Sequence, residues 1–534
     1  MSAVNRSPGR TAGQCDRGEP AAAAMRARCA FVVAAFASLL APAASAREDV
    51  VMTASGEVAG RIEKDVRVFR GIPYAEAPVG DLRWRAPRPA AAWTGRRDAT
   101  HFAPSCPQPD PKPFGPYSAA FMPASELSED CLYLNIWSPD GGGKRPVYLF
   151  IHGGAFVGGG SNAAVYDGAE LARKGAVVVT INYRLGLLGF MAHPELARES
   201  PLGTSGNYGL LDAIEALRWV RDNIARFGGD PANVTVAGQS AGSALVNDLL
   251  VSPLASGLFH RAVLQSGPEL GIPGPSYATA EALGSATVAR AGVKDIAGLR
   301  AAPVETILKS AVGFPLPVAD GKVIPASPEN MATPLASPVP LIIGFTRDES
   351  AAADGPQTVG AFEAEVRKRF GDLAPRALAL YPHGTDAEAA RSGVRIARDR
   401  RIAGLILWAE ARAAQGVPVF SYHFEHPFPG SDPDAFGAFH TGDLPYVFGN
   451  LDISDAHFTG KDRALSRLVQ DHWLAFIKTG DPGSARSKPR WRRAGADPAT
   501  IWRIGQADSE PLIDPARLAL FRDHKAKGGT LGIF

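Results

Sequence analysis

Runs of almost wholly apolar residues recur through the chain and predict β-strands that are buried on both faces. These runs are Leu132–Trp137, Pro146–Ile151, Ala176–Asn182, Val234–Ala237, Arg261–Ser266 and Pro340–Gly344. Between them, Leu210–Phe227 places apolar residues at helical spacing, and Ala241–Val251 is also predicted to be helical. Strand and helix in alternation are typical of a mostly parallel sheet that helices cover on both faces, an α/β fold.

Other stretches depart from this alternation at the start and in the second half of the chain. Val50–Val68 alternates apolar and polar residues and predicts short antiparallel strands, whereas Phe69–Ala75 is expected to be irregular. Pro275–Ala311 and Thr358–Ala414 are predicted to be helical caps inserted between sheet elements. Since no linker interrupts the pattern, we expect residues 47–534 to form a single domain.

The first residues resemble an export signal. Two arginines precede the apolar run Cys29–Leu40, and the small residues Ala44–Ala46 follow it as a cleavage site, so residues 1–46 are predicted to be a signal peptide. The alternative, a membrane anchor, is disfavoured because the run is too short to span a bilayer. Met25 is a second possible start, which would make the residues before it a misassigned extension. The mature protein is therefore expected to be secreted or periplasmic.

Charge and cysteine content narrow the class of protein. Residues 1–46 have a net charge of +3 against +2 for the whole chain, so the remainder has about −1. This near neutrality argues against nucleic acid or an anionic membrane as partner. Cys106 and Cys131 remain after export, and they either form a disulfide, as an even number in an exported protein favours, or stay as two buried thiols. No cysteine–histidine cluster has the spacing of a metal site.

One pentapeptide has the pattern of a nucleophile elbow. Gly238-Gln-Ser-Ala-Gly242 follows a predicted buried strand and opens a predicted helix, which matches Gly-x-Ser-x-Gly. The turn from strand to helix is so sharp that the central serine must adopt a strained conformation, and the glycines leave room for it. Ser240 is therefore the candidate nucleophile.

A serine hydroxyl needs a base and an acid that orients the base. Asp348 and Glu349 both follow the last predicted buried strand, where the acid of such a triad is expected; the other carboxylate should be solvated. His440 lies in a turn-rich loop and is the candidate base, with a pKa near the ordinary value of about 6.5. His423, on a predicted strand, and His472, on a predicted helix, are expected to be structural.

Backbone amides for the developing oxyanion are predicted after another buried strand. His152-Gly-Gly-Ala155 follows that strand, and the N–H groups of Gly153, Gly154 and Ala241 are the candidate donors. A glycine turn that binds no ligand is the alternative. His152 is expected to fix the loop and not to act as a base.

Together these motifs resemble the type B carboxylesterase family, which includes cholinesterases and bacterial para-nitrobenzyl esterases. The similar stretches are Phe69–Ala75, Ser128–Trp137, His152–Phe156, Gly206–Asp212, Phe227–Pro231, Val234–Ser243, Leu264–Gly267, His440 and Tyr446–Gly449. The resemblance implies an α/β-hydrolase fold, a small-molecule ester as substrate and no cofactor. It also implies that Glu349 and not Asp348 is the acid, that His440 is the base, and that Cys106 pairs with Cys131.

Two departures from the family pattern bear on the substrate, and a third bears on the support around the base. Gln239 stands where many members have glutamate, the Cys106–Cys131 loop contains no tryptophan, and Thr-Gly-Asp443 follows His440 where relatives commonly have Gly-x-Glu. A cationic choline ester is therefore not expected. The alternatives are a hydrolase dedicated to one natural ester, amide or carbamate, or a binding member of the family without catalysis. Because Ser240 and its two partners are present, hydrolysis is expected; substrate and oligomeric state are not determined by the sequence.

Overall fold

The computed structural model of the protein describes most of the chain that follows the predicted signal peptide. The described ranges are 47–123, 126–267, 274–328, 330–349, 358–430, 436–452, 456–495, 497–505 and 511–531. They belong to one compact unit, Ala46–Phe534. The signal peptide predicted for residues 1–46 lies outside the described residues, so it stays a prediction.

Among the described residues, twelve strands form one sheet. The strands are β1 Arg47–Met52, β2 Glu57–Glu63, β3 Val66–Pro73, β4 Arg96–Asp98, β5 Tyr133–Pro139, β6 Arg145–Ile151, β7 Val177–Ile181, β8 Gly229–Gln239, β9 Arg261–Gln265, β10 Leu341–Thr346, β11 Val419–Phe424 and β12 Trp502–Ile504. Their order is β1-β2-β3-β5-β7-β6-β8-β9-β10-β11-β12, with β4 beside β2. The seven strands from β7 to β12 in this order are parallel, and those from β1 to β7 pair antiparallel.

Helices connect most of the parallel strands. They are α1 Ala169–Arg173, α2 Gly186–Phe190, α3 Pro194–Glu199, α4 Tyr208–Asn223, α5 Ala241–Val251, α6 Tyr277–Arg290, α7 Ile296–Ala301, α8 Val304–Lys309, α9 Val359–Phe370, α10 Ala374–Leu380, α11 Asp386–Ala414, α12 Leu444–Phe448, α13 Gly460–Thr479 and α14 Pro515–Ala526. Helices α6 to α8 come between β9 and β10, and α9 to α11 between β10 and β11, as predicted for the cap.

The central strands are apolar throughout because both of their faces are buried. Along β6, Val147, Leu149 and Ile151 pack in one hydrophobic core, and Tyr148 and Phe150 pack in another on the opposite face. Helices α4, α5 and α11 contribute to the first core and α13 to the second. The predicted mostly parallel α/β fold with helices on both faces is therefore confirmed.

One prediction about the N-terminal part is wrong. Phe69–Pro73 is not irregular but continues β3, which pairs with β5 through a register shift between Phe69 and Ile72. Gly71 lies inside this shift with a φ of +71°, a conformation that glycine adopts without strain. The bulge disrupts the period of two that would have identified the strand.

Candidate active site

The predicted nucleophile lies at the junction between β8 and α5. Ser240 is the residue before the helix, with φ 56° and ψ −123°. A positive φ is strained for a residue with a Cβ atom, as expected at a nucleophile elbow. The neighbouring strand holds this residue in place, because the Ser240 N–H donates to the carbonyl oxygen of Gln265 at 2.8 Å.

The two glycines of the pentapeptide are required by close backbone contacts. A Cβ atom on Gly238 would lie 2.3 Å from the carbonyl carbon of Gly242, and one on Gly242 would lie 2.1 Å from the carbonyl oxygen of Ile151. Both distances are well inside van der Waals contact, and the atoms met are backbone atoms that cannot move aside cheaply. The elbow therefore packs against the end of β6, from which the glycine turn continues.

That turn contains the candidate oxyanion donors. Gly154 has a φ of +114°, and a Cβ atom there would lie 2.0 Å from the Gly158 carbonyl oxygen. A Cβ atom on Gly153 would lie 3.0 Å from the Cβ of Ser240, so this turn directly adjoins the elbow. Within the described part of the chain, the N–H groups of Gly154 and Ala241 donate to no protein acceptor, whereas the Gly153 N–H interacts with the Tyr166 hydroxyl. Gly154 and Ala241 are therefore available to an incoming oxygen atom, and Gly153 would have to exchange the tyrosine for it.

His152 fixes the turn, as expected. Its Nδ1 lies 2.7 Å from the carbonyl oxygen of Gly153, and its ring stacks on Tyr183 with the centroids 4.6 Å apart. Burial lowers the pKa of His152 to about 4, so the ring is neutral at physiological pH.

The predicted acid and base are in direct contact. The Nδ1 atom of His440 is hydrogen bonded to one carboxylate oxygen of Glu349. The other oxygen accepts hydrogen bonds from the Ser266 hydroxyl at 2.5 Å and the Thr346 N–H at 2.7 Å. The side chain of Glu349 is fully buried, whereas a quarter of the His440 side chain is exposed. Three donors therefore fix the acid, and the acid fixes the imidazole.

The contact between Glu349 and His440 shifts their pKa values in opposite directions. Burial by itself raises the pKa of Glu349, but the adjacent His440 and the hydrogen bonds from His440 and Ser266 lower it to about 2. Burial by itself lowers the pKa of His440, but the Glu349 carboxylate outweighs burial and raises it above the ordinary 6.5. The expected value near 6.5 is therefore too low.

The second nitrogen of the base contacts the elbow through Gln239. The Nε2 atom of His440 lies 3.0 Å from the side-chain nitrogen of Gln239, which precedes Ser240 in the chain. No hydrogen bond joins Ser240 Oγ to His440 or to any other described residue. The base is thus beside the elbow, but its free nitrogen faces the amide and not the hydroxyl.

Asp348 is not the solvated carboxylate expected from the sequence. One of its oxygens accepts from the Ala438 N–H at 2.9 Å and pairs with Arg347, and the other accepts from Arg398 at 3.0 Å. Its own N–H donates to the Ala438 carbonyl oxygen. Asp348 therefore anchors the loop that contains His440, a role that depends on partners distant in sequence.

A second buried carboxylate lies below the site. Asp443 accepts hydrogen bonds from the Tyr422 hydroxyl at 2.7 Å and from the Gln265 side chain at 2.9 Å. Burial raises the pKa of Asp443, and these two hydrogen bonds oppose the rise. Because the Gln265 carbonyl also accepts from the Ser240 N–H, Asp443 connects the histidine loop to the elbow.

The loop closed by Cys106 and Cys131, which form a disulfide, reaches the same place. The Tyr117 hydroxyl donates to the carbonyl oxygen of His440 at 3.0 Å, and its ring packs edge-on against Phe439. Tyr117 therefore attaches the disulfide loop to the body of the protein. This contact was not predicted, because no motif marks it.

The other two histidines considered have structural partners. His423 is buried on β11 with Nδ1 2.8 Å from Glu425, and Nδ1 of His472 lies 2.9 Å from the Pro482 carbonyl oxygen. Neither histidine contacts the elbow, as expected.

Comparison with known proteins identifies the family of the chain. The model of the carboxylesterase family matches residues 47–374 and 381–517. The chain is 39% identical to a fumonisin B1 esterase of Sphingopyxis macrogoltabida over 83% of this chain and 84% of that protein. It is 38% identical to a phenmedipham hydrolase of Pseudarthrobacter oxydans over 88% and 97%. Among solved structures, a PNB esterase superimposes with a TM-score of 0.72 and 35% identity, over 84% of this chain and 93% of that chain. The chain therefore belongs to the carboxylesterase family and is a carboxylic ester hydrolase with the α/β-hydrolase fold.

Proposed function

We propose that the enzyme cleaves carboxylic esters through an acyl-enzyme on Ser240, with His440 as general base and Glu349 as the acid that orients it. The observation that supports this most strongly is the position of the imidazole. Its Nδ1 is bonded to buried Glu349, and its Nε2 is 3.0 Å from the side chain of the residue preceding Ser240. The mechanism requires Gln239 or the ring to move so that the hydroxyl meets the base nitrogen.

The reaction then follows from the groups around the elbow. Nε2 of His440 takes the proton of Ser240 as Oγ attacks the carbonyl carbon, and the imidazolium is stabilised by Glu349. The oxyanion accepts hydrogen bonds from the N–H groups of Gly153, Gly154 and Ala241, of which Gly154 and Ala241 have no other acceptor among the described residues. His440 next protonates the leaving alcohol. A water molecule deprotonated by the same nitrogen then attacks the acyl carbon, the bond from that carbon to Ser240 Oγ breaks as His440 returns the proton to Oγ, and the carboxylic acid product leaves.

We expect neutral esters with a short acyl group to be good substrates. Gln239 is uncharged, and the two carboxylates that act most on His440, Glu349 and Asp443, are buried and hydrogen bonded. Among the described residues, the carboxylates that act on the ring of His440 therefore present no exposed negative charge to a quaternary ammonium group. The test compares kcat/KM for butyrylcholine with kcat/KM for a neutral isostere of equal size. A preference above tenfold for the cation would contradict the expectation that neutral esters are cleaved at least as well.

The test of the nucleophile is Ser240→Ala. The variant should fold normally and lose at least about 10⁴-fold in kcat for an aryl acetate. An organophosphate should add covalently to the native enzyme at Ser240, which mass spectrometry of peptides identifies. Turnover at the native rate by the variant, or label on another residue, would refute the assignment.

The compartment is part of the same proposal. A disulfide is compatible with an exported protein, and no helix among the described residues has the length and apolarity to cross a membrane. We expect the leader to be removed after Ala46, so that the mature chain begins near Arg47. N-terminal sequencing of the protein from the periplasm or medium tests this, and a mature chain that retains Cys29 would contradict it.

A further inference from the structure

Gln239 makes the contact with the base that the proposed mechanism assigns to Ser240. Its side chain is buried, with 1% of the residue exposed, and its nitrogen lies 3.0 Å from Nε2 of His440. The amide oxygen points the other way, toward the glycine turn, since a Cβ atom on Gly153 would lie 2.7 Å from it. The side chain therefore extends between the oxyanion turn and the imidazole.

The protonation of the pair determines which atom of the amide faces the ring. Glu349 is ionised and accepts a hydrogen bond from Nδ1, so Nδ1 of His440 holds the proton. In the neutral ring Nε2 is then an acceptor only. An amide N–H can donate a hydrogen bond to this lone pair. An amide oxygen or a carboxylate cannot, because neither carries a proton to place between the two acceptors.

We infer that Gln239 is a positioning residue that keeps His440 neutral in the resting enzyme, by donating its amide N–H to Nε2 until the Ser240 hydroxyl replaces it. The inference rests on the proposed triad, since it assigns a partner to the base of that triad. A glutamate at this position would instead accept from the Nε2–H of the imidazolium and stabilise the protonated ring. Gln239 therefore extends the activity of the enzyme toward lower pH.

Charged and titratable groups from other elements also face the ring. Glu349 after β10 and Asp443 after the histidine favour the protonated ring, and Arg401 on α11 opposes it. Tyr117 of the disulfide loop contacts the main chain of His440, and burial raises the pKa of this tyrosine to about 12, so it stays a neutral donor. Because these groups are unchanged in variants of Gln239, a difference between such variants reports on the side chain at position 239.

The experiment compares Gln239→Glu and Gln239→Met with the native side chain, each with and without Ser240→Ala. In the Ser240→Ala background, NMR follows the titration of His440, whose signal is identified by its loss in His440→Ala. Gln239→Glu should raise the pH of half-titration by about 1–3 units. Gln239→Met, of similar size but without a donor, should shift it by less than half as much. As the matched control for a new buried carboxylate, Gln470→Glu on α13 should not shift it.

A second measurement remains informative if Gln239→Glu does not fold. At a pH where His440 is neutral, the ¹⁵N resonance of Nε2 should shift in Gln239→Met, because the hydrogen bond to that nitrogen is lost. With Ser240 restored, kcat/KM is measured at pH 9 and at pH 6 for Gln239→Glu and for the native enzyme. The fall in kcat/KM from pH 9 to pH 6 should be at least about tenfold larger in Gln239→Glu.

The outcomes separate this inference from the proposed function. An unchanged titration of His440 in Gln239→Glu, or an unchanged Nε2 resonance in Gln239→Met, would overturn the role of Gln239 and leave the triad intact. If Ser240→Ala were still active, the proposed nucleophile would be wrong. The NMR titration would still report the contact between Gln239 and His440, because it does not require catalysis.

Discussion

Replacing Ser240 with glycine should stabilise the protein while it removes the proposed nucleophile. The φ of 56° and ψ of −123° at this residue belong to a region that glycine adopts far more readily than any residue with a Cβ atom. Ser240→Ala is the matched control, because it removes the same hydroxyl but keeps the Cβ atom and the strain. The difference between the two variants therefore measures the strain of the elbow.

The magnitude follows from three contributions to the free energy of unfolding. A residue other than glycine in such a conformation costs about 1–3 kcal/mol. Ser240→Gly removes this cost, but about 0.4–1 kcal/mol of the gain is lost again because glycine gives the unfolded chain more conformational freedom. The Ser240 hydroxyl makes no hydrogen bond to the described residues, so its removal contributes little to either variant. Ser240→Gly should thus be more stable than Ser240→Ala by about 1–2 kcal/mol, a factor of about 5–30 in the folding equilibrium.

Urea unfolding followed by tryptophan fluorescence measures this difference. Both variants should show the same dependence on urea, and the midpoint of Ser240→Gly should be higher. Neither variant should hydrolyse an aryl acetate. A midpoint for Ser240→Gly at or below that of Ser240→Ala would refute the reasoning, because it would mean that the elbow stores no strain.

Two further results are expected from the acid and the base. Glu349→Gln should lower kcat/KM by about 10³–10⁴-fold, because the glutamine no longer stabilises the imidazolium. Asp348→Asn should lower kcat/KM by less than about 100-fold, because Asp348 anchors the histidine loop and does not contact the ring. The reverse order would identify Asp348 as the acid. The kcat/KM of the native enzyme should rise with pH as His440 loses its proton. The midpoint of this rise should lie above pH 6.5, because the Glu349 carboxylate raises the pKa of the ring. A midpoint below pH 6.5 would contradict this cause.

The central strands could be predicted from the sequence because burial on both faces leaves an uninterrupted apolar run, as in β6. Phe69–Pro73 could not, since the bulge at Gly71 shifts the register and disguises the alternation. The same distinction applies to the site. Ser240, Glu349 and His440 were proposed from local motifs and a family resemblance, which need no knowledge of the fold.

Contacts between distant residues were out of reach of the sequence. Gln239 and His440 are 201 residues apart, and Tyr117 and His440 are 323 apart, so only the folded sheet reveals that they meet. Asp348 looked like a surface carboxylate because its partners Ala438 and Arg398 are 90 and 50 residues away. The periodicity of apolar residues predicts which face of a helix or strand is buried, but it does not predict which distant loop packs against that element.

The attachment of Tyr117 to the His440 carbonyl couples the position of the proposed base to the covalent state of two cysteines. The disulfide between Cys106 and Cys131 closes the loop that holds this tyrosine. A polypeptide retained among cytoplasmic reductants would have every catalytic side chain but no closed loop above its base. We therefore expect full activity only after this disulfide has formed, and a lower activity from chains that are kept reduced.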